Sequence, residues 1–113
     1  MDKIDEIIED VCKEANCEID DLSCNDWLIY LEKNLEFPFD AEMNFYSYSE
    51  YLKNGDIVSV KNLDDCYDMY GIIATVKQSR RKFHVTVDEM TAVDKKSRNY
   101  ALIEAYQTWF DNL

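Results

Sequence analysis

Glycine and proline are scarce in this chain, which has two glycines and one proline among its 113 residues. This composition excludes collagen-like and low-complexity sequences, and the apolar fraction of 47% is sufficient for a folded core. Because Gly55 and Gly71 are the only glycines, a glycine-rich phosphate-binding loop is excluded as well. A chain of this length is expected to form one domain, residues 1–113.

Long apolar runs are also missing, and we expect no signal peptide in the first residues. No apolar run approaches the roughly 18 residues that a transmembrane helix needs. Residues 1–6 are mostly acidic or apolar, whereas a signal peptide begins with a basic stretch followed by an apolar one. We therefore expect a cytoplasmic protein that has no membrane as a partner.

Basic residues are few, since 12 Lys and Arg face 24 Asp and Glu and the net charge is −12. This charge repels nucleic acids and anionic membranes, and it attracts metal ions or a basic protein partner. Residues 77–98 are the exception, with seven basic and three acidic residues that include the run Arg80, Arg81 and Lys82. We interpret this run as a solvated turn or an internal counter-charge, and we expect no nucleic-acid partner.

Residues typical of catalytic sites are sparse. His84 is the only histidine, and it is expected on the outer face of its strand, without a recognisable nucleophile beside it. The four cysteines contain no CxxC pair and fit no common zinc spacing; they are Cys12, Cys17, Cys24 and Cys66. We predict that the protein is not an enzyme and that its thiols act as small hydrophobic side chains.

Periodicity predicts the fold. Apolar residues at helical spacing indicate a helix over about residues 2–15, a second one capped by Asp21 or Ser23, and a C-terminal one capped by Ser97. Alternating patterns indicate four short strands, which cover residues 37–46, 57–61, 70–77 and 82–87. Residues 62–68 are expected to form an acidic loop, and residues 88–94 a short turn or 3₁₀ segment. The predicted class is α+β, with a strongly bent antiparallel sheet or SH3-like partial barrel of about four strands, two helices before it and one after.

Two short stretches concentrate carboxylates and contain no lysine or arginine. Asp40 and Glu42 are two residues apart and share one face of a predicted strand, and Asp64, Asp65 and Asp68 lie in the predicted acidic loop. Calcium prefers roughly six to eight oxygen ligands from carboxylates and carbonyls, and a bound ion would relieve the repulsion between these acids. The residue order is not that of an EF-hand. The five residues are therefore predicted to form one or two calcium sites at the same end of the sheet. Second-rank candidates are Asp88 and Glu89.

Several segments carry a family resemblance. They are WLIYL at 27–31, LEFPFDAE at 35–42, GDIVSV at 55–60, Val93-Asp94, and a C-terminal helix with Tyr106, Trp109 and Phe110. Together they resemble the family of small bacterial calcium-binding proteins typified by the cyanobacterial CcbP protein. The resemblance spans about residues 24–113 and leaves the acidic helix in residues 1–20 outside. It implies calcium binding at an acidic site that is not an EF-hand, without catalysis.

The sequence thus predicts a calcium-binding protein that acts as a buffer or sensor, with Ca²⁺ as its bound ion. The alternative is a non-catalytic protein-interaction module whose acidic SH3-like surface docks a basic protein partner. Tyrosine is common on such surfaces. The tyrosines that suit this alternative are Tyr46, Tyr48, Tyr51, Tyr67 and Tyr70.

Overall fold

The computed structural model describes residues 2–44 and 51–113 as three α-helices and a five-stranded antiparallel sheet. The helices are α1 (Lys3–Ala15), α2 (Cys24–Asn34) and α3 (Arg98–Asp111). The strands are β1 (Phe39–Met43), β2 (Ile57–Tyr67), β3 (Gly71–Gln78), β4 (Arg81–Thr86) and β5 (Met90–Ala92). Short 3₁₀ helices cover Ile19–Asp21 and Val87–Glu89. The α+β class is confirmed, whereas the predictions for Tyr46 and Tyr48 lie outside the described residues.

Each α-helix begins at a side chain that accepts a hydrogen bond from the first turn. Asp2 and Ser97 each accept a backbone N–H in this way, at 2.9 and 3.2 Å. Ser23 and Asp26 exchange two bonds in a capping box at the start of α2. Capping satisfies N–H groups that have no partner within the helix. The predicted caps Ser23 and Ser97 are confirmed.

Helix α1 packs on both other helices, and part of its acidic face takes part in this contact. Asp10 accepts a hydrogen bond of 2.8 Å from the buried Tyr30 hydroxyl of α2, and Glu14 pairs with Lys33 at 3.1 Å. Burial, followed by the bond to Asp10, raises the pKa of Tyr30 to about 12. The acidic face of α1 is therefore partly a packing surface.

Strand β2 is much longer than predicted. It continues through residues 62–67, so the prediction of an acidic loop over 62–68 is wrong except for its last residue. Asn62 pairs with Thr75 and Asp65 with Ile73, and the register shifts twice, between Val60 and Asn62 and again before Asp65. The ladder is made by backbone groups, so polar side chains on an outer face do not end it. Extra residues at such shifts bend a strand and increase its twist.

The sheet contains five strands rather than about four, in the order β4-β3-β2-β1-β5. The additional strand, β5, follows a 3₁₀ turn over Val87–Glu89, so the 88–94 segment is only partly a turn. In the described ranges, β4 and β5 occupy opposite edges and form no ladder with each other. The sheet is therefore open, and closure into an SH3-like barrel is not observed.

The core lies between the inner face of the sheet and the helices. Trp27 and Leu31 of α2 and Tyr106 of α3 are fully buried, and the Trp27 and Tyr106 rings meet edge to face at 5.7 Å. Burying such large side chains supplies much of the stabilisation of a small domain. As for membranes, no helix within residues 2–44 and 51–113 is long and apolar enough to cross one.

Candidate metal sites

The predicted ligands are dispersed over the fold. Within the part of the chain that the structure describes, no three or more Asp, Glu, His or Cys side chains form a group that could hold a metal ion. The acidic residues instead form several smaller arrangements. These differ in burial and in the hydrogen bonds that their oxygens already accept.

Asp40 and Glu42 lie on β1, opposite Ser59 and Ile57 of β2. Both are exposed while Ala41 between them is buried, so the shared outer face is as predicted. Their carboxylates nevertheless have different neighbours. Glu42 Oε1 lies 3.9 Å from the position that a Cβ would take on Gly55, whereas Asp40 lines a cleft on the other side.

That cleft has a volume of about 270 Å³, and its lining residues include Glu36, Asp40 and Asp94. Its two walls are tied together by the buried Asn99, whose side chain bonds the Glu36 N–H at 3.0 Å and the Glu36 carbonyl at 2.9 Å. The Val93 N–H donates to the Asp40 carbonyl at 3.0 Å. Two segments far apart in sequence therefore bring acidic residues to one cleft.

Asp64 has little capacity left for an ion. Its carboxylate accepts hydrogen bonds from Thr75 Oγ1 at 2.6 Å and Asn62 Nδ2 at 2.8 Å, and it lies 3.5 Å from His84 Nδ1. Asp65 accepts a bond from the neighbouring backbone N–H of Cys66, and Asp68 is exposed in the turn before β3.

The register of β2 separates this trio from Asp40. Asp40 pairs with Ser59, and Asp65 lies six residues further along the same strand. At about 3.3 Å per residue this is roughly 20 Å along the strand. Ligands of one calcium ion lie within about 2.6 Å of it. The expectation that the strand pair and the trio meet at one end of the sheet is therefore wrong.

Asp88, in the 3₁₀ turn after β4, lies beside a second carboxyl group. Its side chain is within hydrogen-bond reach of the Asp111 carboxyl at the end of α3. Asp88 Oδ1 is buried and has no hydrogen-bond partner among the described residues. Burial, then the contact with Asp111 and the charge of Glu89, raise the pKa of Asp88 to about 6. Two ionised carboxylates in this position repel each other unless a proton or a cation lies between them.

Gln107 fixes the backbone around this pair. Its Nε2 donates to the carbonyls of Met90 at 2.6 Å and Val87 at 2.9 Å, so the 3₁₀ turn is held against α3. Glu89 accepts a hydrogen bond from Thr86 Oγ1 at 3.1 Å. The bonds from the Gln107 side chain to the backbone of the turn thus hold Asp88 near Asp111, independently of the two acids.

Sequence reasoning did not single out Glu36, Asp94 or Asp111 as candidate site residues. Glu36 and Asp94 both fall in segments that carry the family resemblance, and this resemblance is the one feature of the sequence that could have indicated them. Asp111 lies 23 positions after Asp88, and nothing in the local sequence links the two. Only the packing of α3 on the 3₁₀ turn brings them together.

Comparison with known proteins agrees with this architecture. A family model described as calcium binding, that of CcbP, matches residues 4–110, a range that takes in α1 as well as the segments of the sequence resemblance. The crystal structure of Anabaena CcbP aligns with a TM-score of 0.62 and 18% identity over 76% of this chain and 72% of that chain. A search of curated proteins gives no significant match. The extent of the family match shows that the chain belongs to the CcbP family of calcium-binding proteins.

Proposed function

We propose that this protein binds Ca²⁺ through surface carboxylates that do not form an EF-hand, and that it acts as a calcium buffer or sensor. Membership of a calcium-binding family supports calcium as the ion, and the net charge of −12 favours attraction of cations. The observation that carries the proposal is the contact between the Asp88 and Asp111 carboxyl groups, with one Asp88 oxygen buried and unpaired.

The Asp88–Asp111 pair is the first proposed ion site. Calcium would satisfy the unpaired Asp88 oxygen and remove the repulsion between the two carboxylates. Such a site supplies fewer protein oxygens than calcium prefers, so water would complete the coordination. A site of this kind would bind with modest affinity.

The cleft beside Asp40 is the second proposed site. Glu36, Asp40 and Asp94 are among its lining residues, and an ion there would have to draw their side chains together, because they do not form a ready-made metal-binding group. Glu42 is exposed on the same face of β1 as Asp40, so its negative charge would add to the electrostatic attraction of a cation. For Asp64, Asp65 and Asp68 we propose an accessory role as exposed acids that raise the local concentration of cations.

A calorimetric titration of the purified protein with CaCl₂ tests the function. We expect saturable binding at submillimolar calcium and weaker binding of MgCl₂, because magnesium demands near-octahedral geometry and loses its water reluctantly. Binding weaker than millimolar for calcium would reject the proposed function.

Charge-matched variants separate the two sites. Asp40→Asn and Asp88→Asn should each remove or weaken one binding event, because each replaces a proposed ligand. Asp20→Asn is the control, since it removes the same charge from an exposed position in the first 3₁₀ helix. If all three variants lower calcium affinity equally, the ion responds to net charge and neither site is correct.

The choice between buffer and sensor depends on whether α3 moves when the ion binds. Trp109 lies two residues before Asp111 and is almost fully buried, so its fluorescence reports on the last turn of this helix. A sensor should show a calcium-dependent change in tryptophan emission that Asp88→Asn abolishes. A buffer should bind calcium with the emission unchanged.

The alternative function as an interaction module has one observation in its favour. The turn between β2 and β3 exposes Tyr67, Met69 and Tyr70, with Met69 82% exposed, beside the acidic Asp68. Exposed apolar and acidic residues together suit a basic, amphipathic partner. Failure of the calcium titration, with binding of a basic peptide that depends on these residues, would favour this function.

A further inference from the structure

The thiol of Cys24 lies within hydrogen-bond reach of the Cys66 thiol where α2 packs on β2, although 42 positions separate the two residues in the sequence. Cys24 is the first residue of α2, and Cys66 lies near the end of β2, opposite Ile72 of β3. Both side chains are half-buried and pack against the core. All four cysteines are free, so the contact is between two thiols.

The Tyr106 hydroxyl fixes the geometry of this pair. It accepts a hydrogen bond of 3.0 Å from the Ile72 N–H and also lies within hydrogen-bond reach of the Cys24 thiol. Because Ile72 is the strand partner of Cys66, one buried hydroxyl of α3 lies beside both cysteines. Three elements therefore hold the two sulfur atoms near each other.

We propose that Cys24 and Cys66 form a modification site, a dithiol that a small-molecule disulfide of the glutathione type converts to an intramolecular disulfide. One protein thiolate attacks the small disulfide, forms a mixed disulfide and releases the first small thiol. The second protein thiolate then attacks the mixed disulfide, forms the bond between the two cysteines and releases the second small thiol. The protein loses two protons and two electrons, and the small disulfide gains them.

The cross-link would tie the start of α2 to the end of β2. A disulfide that closes a loop of this length restricts the unfolded chain strongly, and the melting temperature should rise by about 10 °C. Burial, followed by the contact with Cys66, raises the pKa of Cys24 to about 12. Since the thiolate is the nucleophile, the exchange should take minutes to hours at neutral pH and speed up in mild alkali.

Oxidised glutathione is the probe, applied to the full-length protein in calcium-free buffer, followed by acid quenching and alkylation of the remaining thiols. Before alkylation, the mass of the intact protein should be lower by two hydrogen atoms and should show no bound glutathione. A protease that cleaves after glutamate separates Cys17 from Cys24 at Glu18, so the peptide pair identifies the linked residues. We expect one linked pair, Cys24 with Cys66, and alkylation of both other cysteines.

Matched serine variants control the result. Cys24→Ser and Cys66→Ser should each abolish the cross-link and the gain in melting temperature, whereas Cys12→Ser should keep both. If one of the first two variants fails to fold, the other carries the test. Stable glutathione adducts in place of the internal disulfide, or a cross-link that uses Cys12 or Cys17, would overturn the proposal.

Discussion

Replacing Gly71 with alanine is expected to lower the free energy of unfolding by about 3 to 5 kcal/mol. Gly71 has a φ of +74°, which strains any residue with a Cβ. A Cβ there would overlap the Tyr106 hydroxyl and lie 3.1 Å from ring carbons of Phe110. Tyr106 would have to move, and the buried hydrogen bond from the Ile72 N–H would be lost with it. Urea unfolding followed by circular dichroism measures the change.

Gly55→Ala is the control for this variant. Gly55 also has a positive φ, +92°, but the nearest atom to an added Cβ is Glu42 Oε1 at 3.9 Å. Only the backbone strain remains, so the expected loss is about 1 kcal/mol. If both variants lose the same free energy of unfolding, crowding at Tyr106 contributes nothing and the positive φ alone accounts for the loss.

The Asp88→Asn variant is expected to stabilise the calcium-free protein and to lose its response to calcium. At pH 7.5 the ionised Asp88 is buried beside Asp111, and removing its charge should add about 1 to 2 kcal/mol after allowance for solvent screening of this half-buried group. Wild-type protein should gain about 2.7 kcal/mol when calcium is a hundredfold above its dissociation constant. The variant should lose the part of this gain that the Asp88 site supplies. Melting curves with calcium and with EDTA measure both effects.

The pH dependence of this variant gives a further check. The pKa of Asp88 is raised from its ordinary 3.8 to about 6, so the folded protein holds a proton more tightly than the unfolded chain. The ionised group therefore costs stability above pH 6, and the cost declines as the pH falls from 6 towards 4. The advantage of the variant in EDTA should be full at pH 7.5 and absent near pH 4. An advantage that does not change with pH would contradict the assignment.

The helices could be predicted from sequence because their signals are local. Residues 2–15 show an apolar stripe and an acidic first turn, and Ser23 and Ser97 precede the later stripes as caps. Helix α1 lies within one residue of its expected start at 2 and ends at the expected residue 15, and α2 and α3 begin directly after the predicted caps Ser23 and Ser97. Trp27 and Leu31, which are four residues apart and so lie on one face of α2, are both fully buried.

The sheet was harder because two of its features depend on neighbouring strands. Residues 62–67 are mostly polar and give no apolar alternation, yet they pair with β3 through two register shifts. Strand β5 has only three residues, and it is a strand because Glu42 and Ala41 of β1 pair with it. Pairing of this kind has no signature within the short segment itself.

The candidate sites show the same limit. The common face of Asp40 and Glu42 follows from the two-residue period of a strand. Asp94, which lines the same cleft as Asp40, follows β5 and is more than 50 residues away in the sequence. Asp88 was a second-rank candidate because its partner Asp111 lies on a different element. Likewise, nothing near Cys24 indicates that Cys66 lies beside it.

The two edges of the open sheet have a consequence for behaviour in concentrated solution. One edge is β4, which carries Arg81 and Lys82, and the other is β5, which offers a backbone of only three residues. Charged or very short edge strands are poor templates for the addition of a strand from another molecule. Together with a strongly negative surface, such edges disfavour aggregation. A protein with such edges is expected to remain as separate molecules in concentrated solution, where even a modest affinity for an ion would take up a large amount of it.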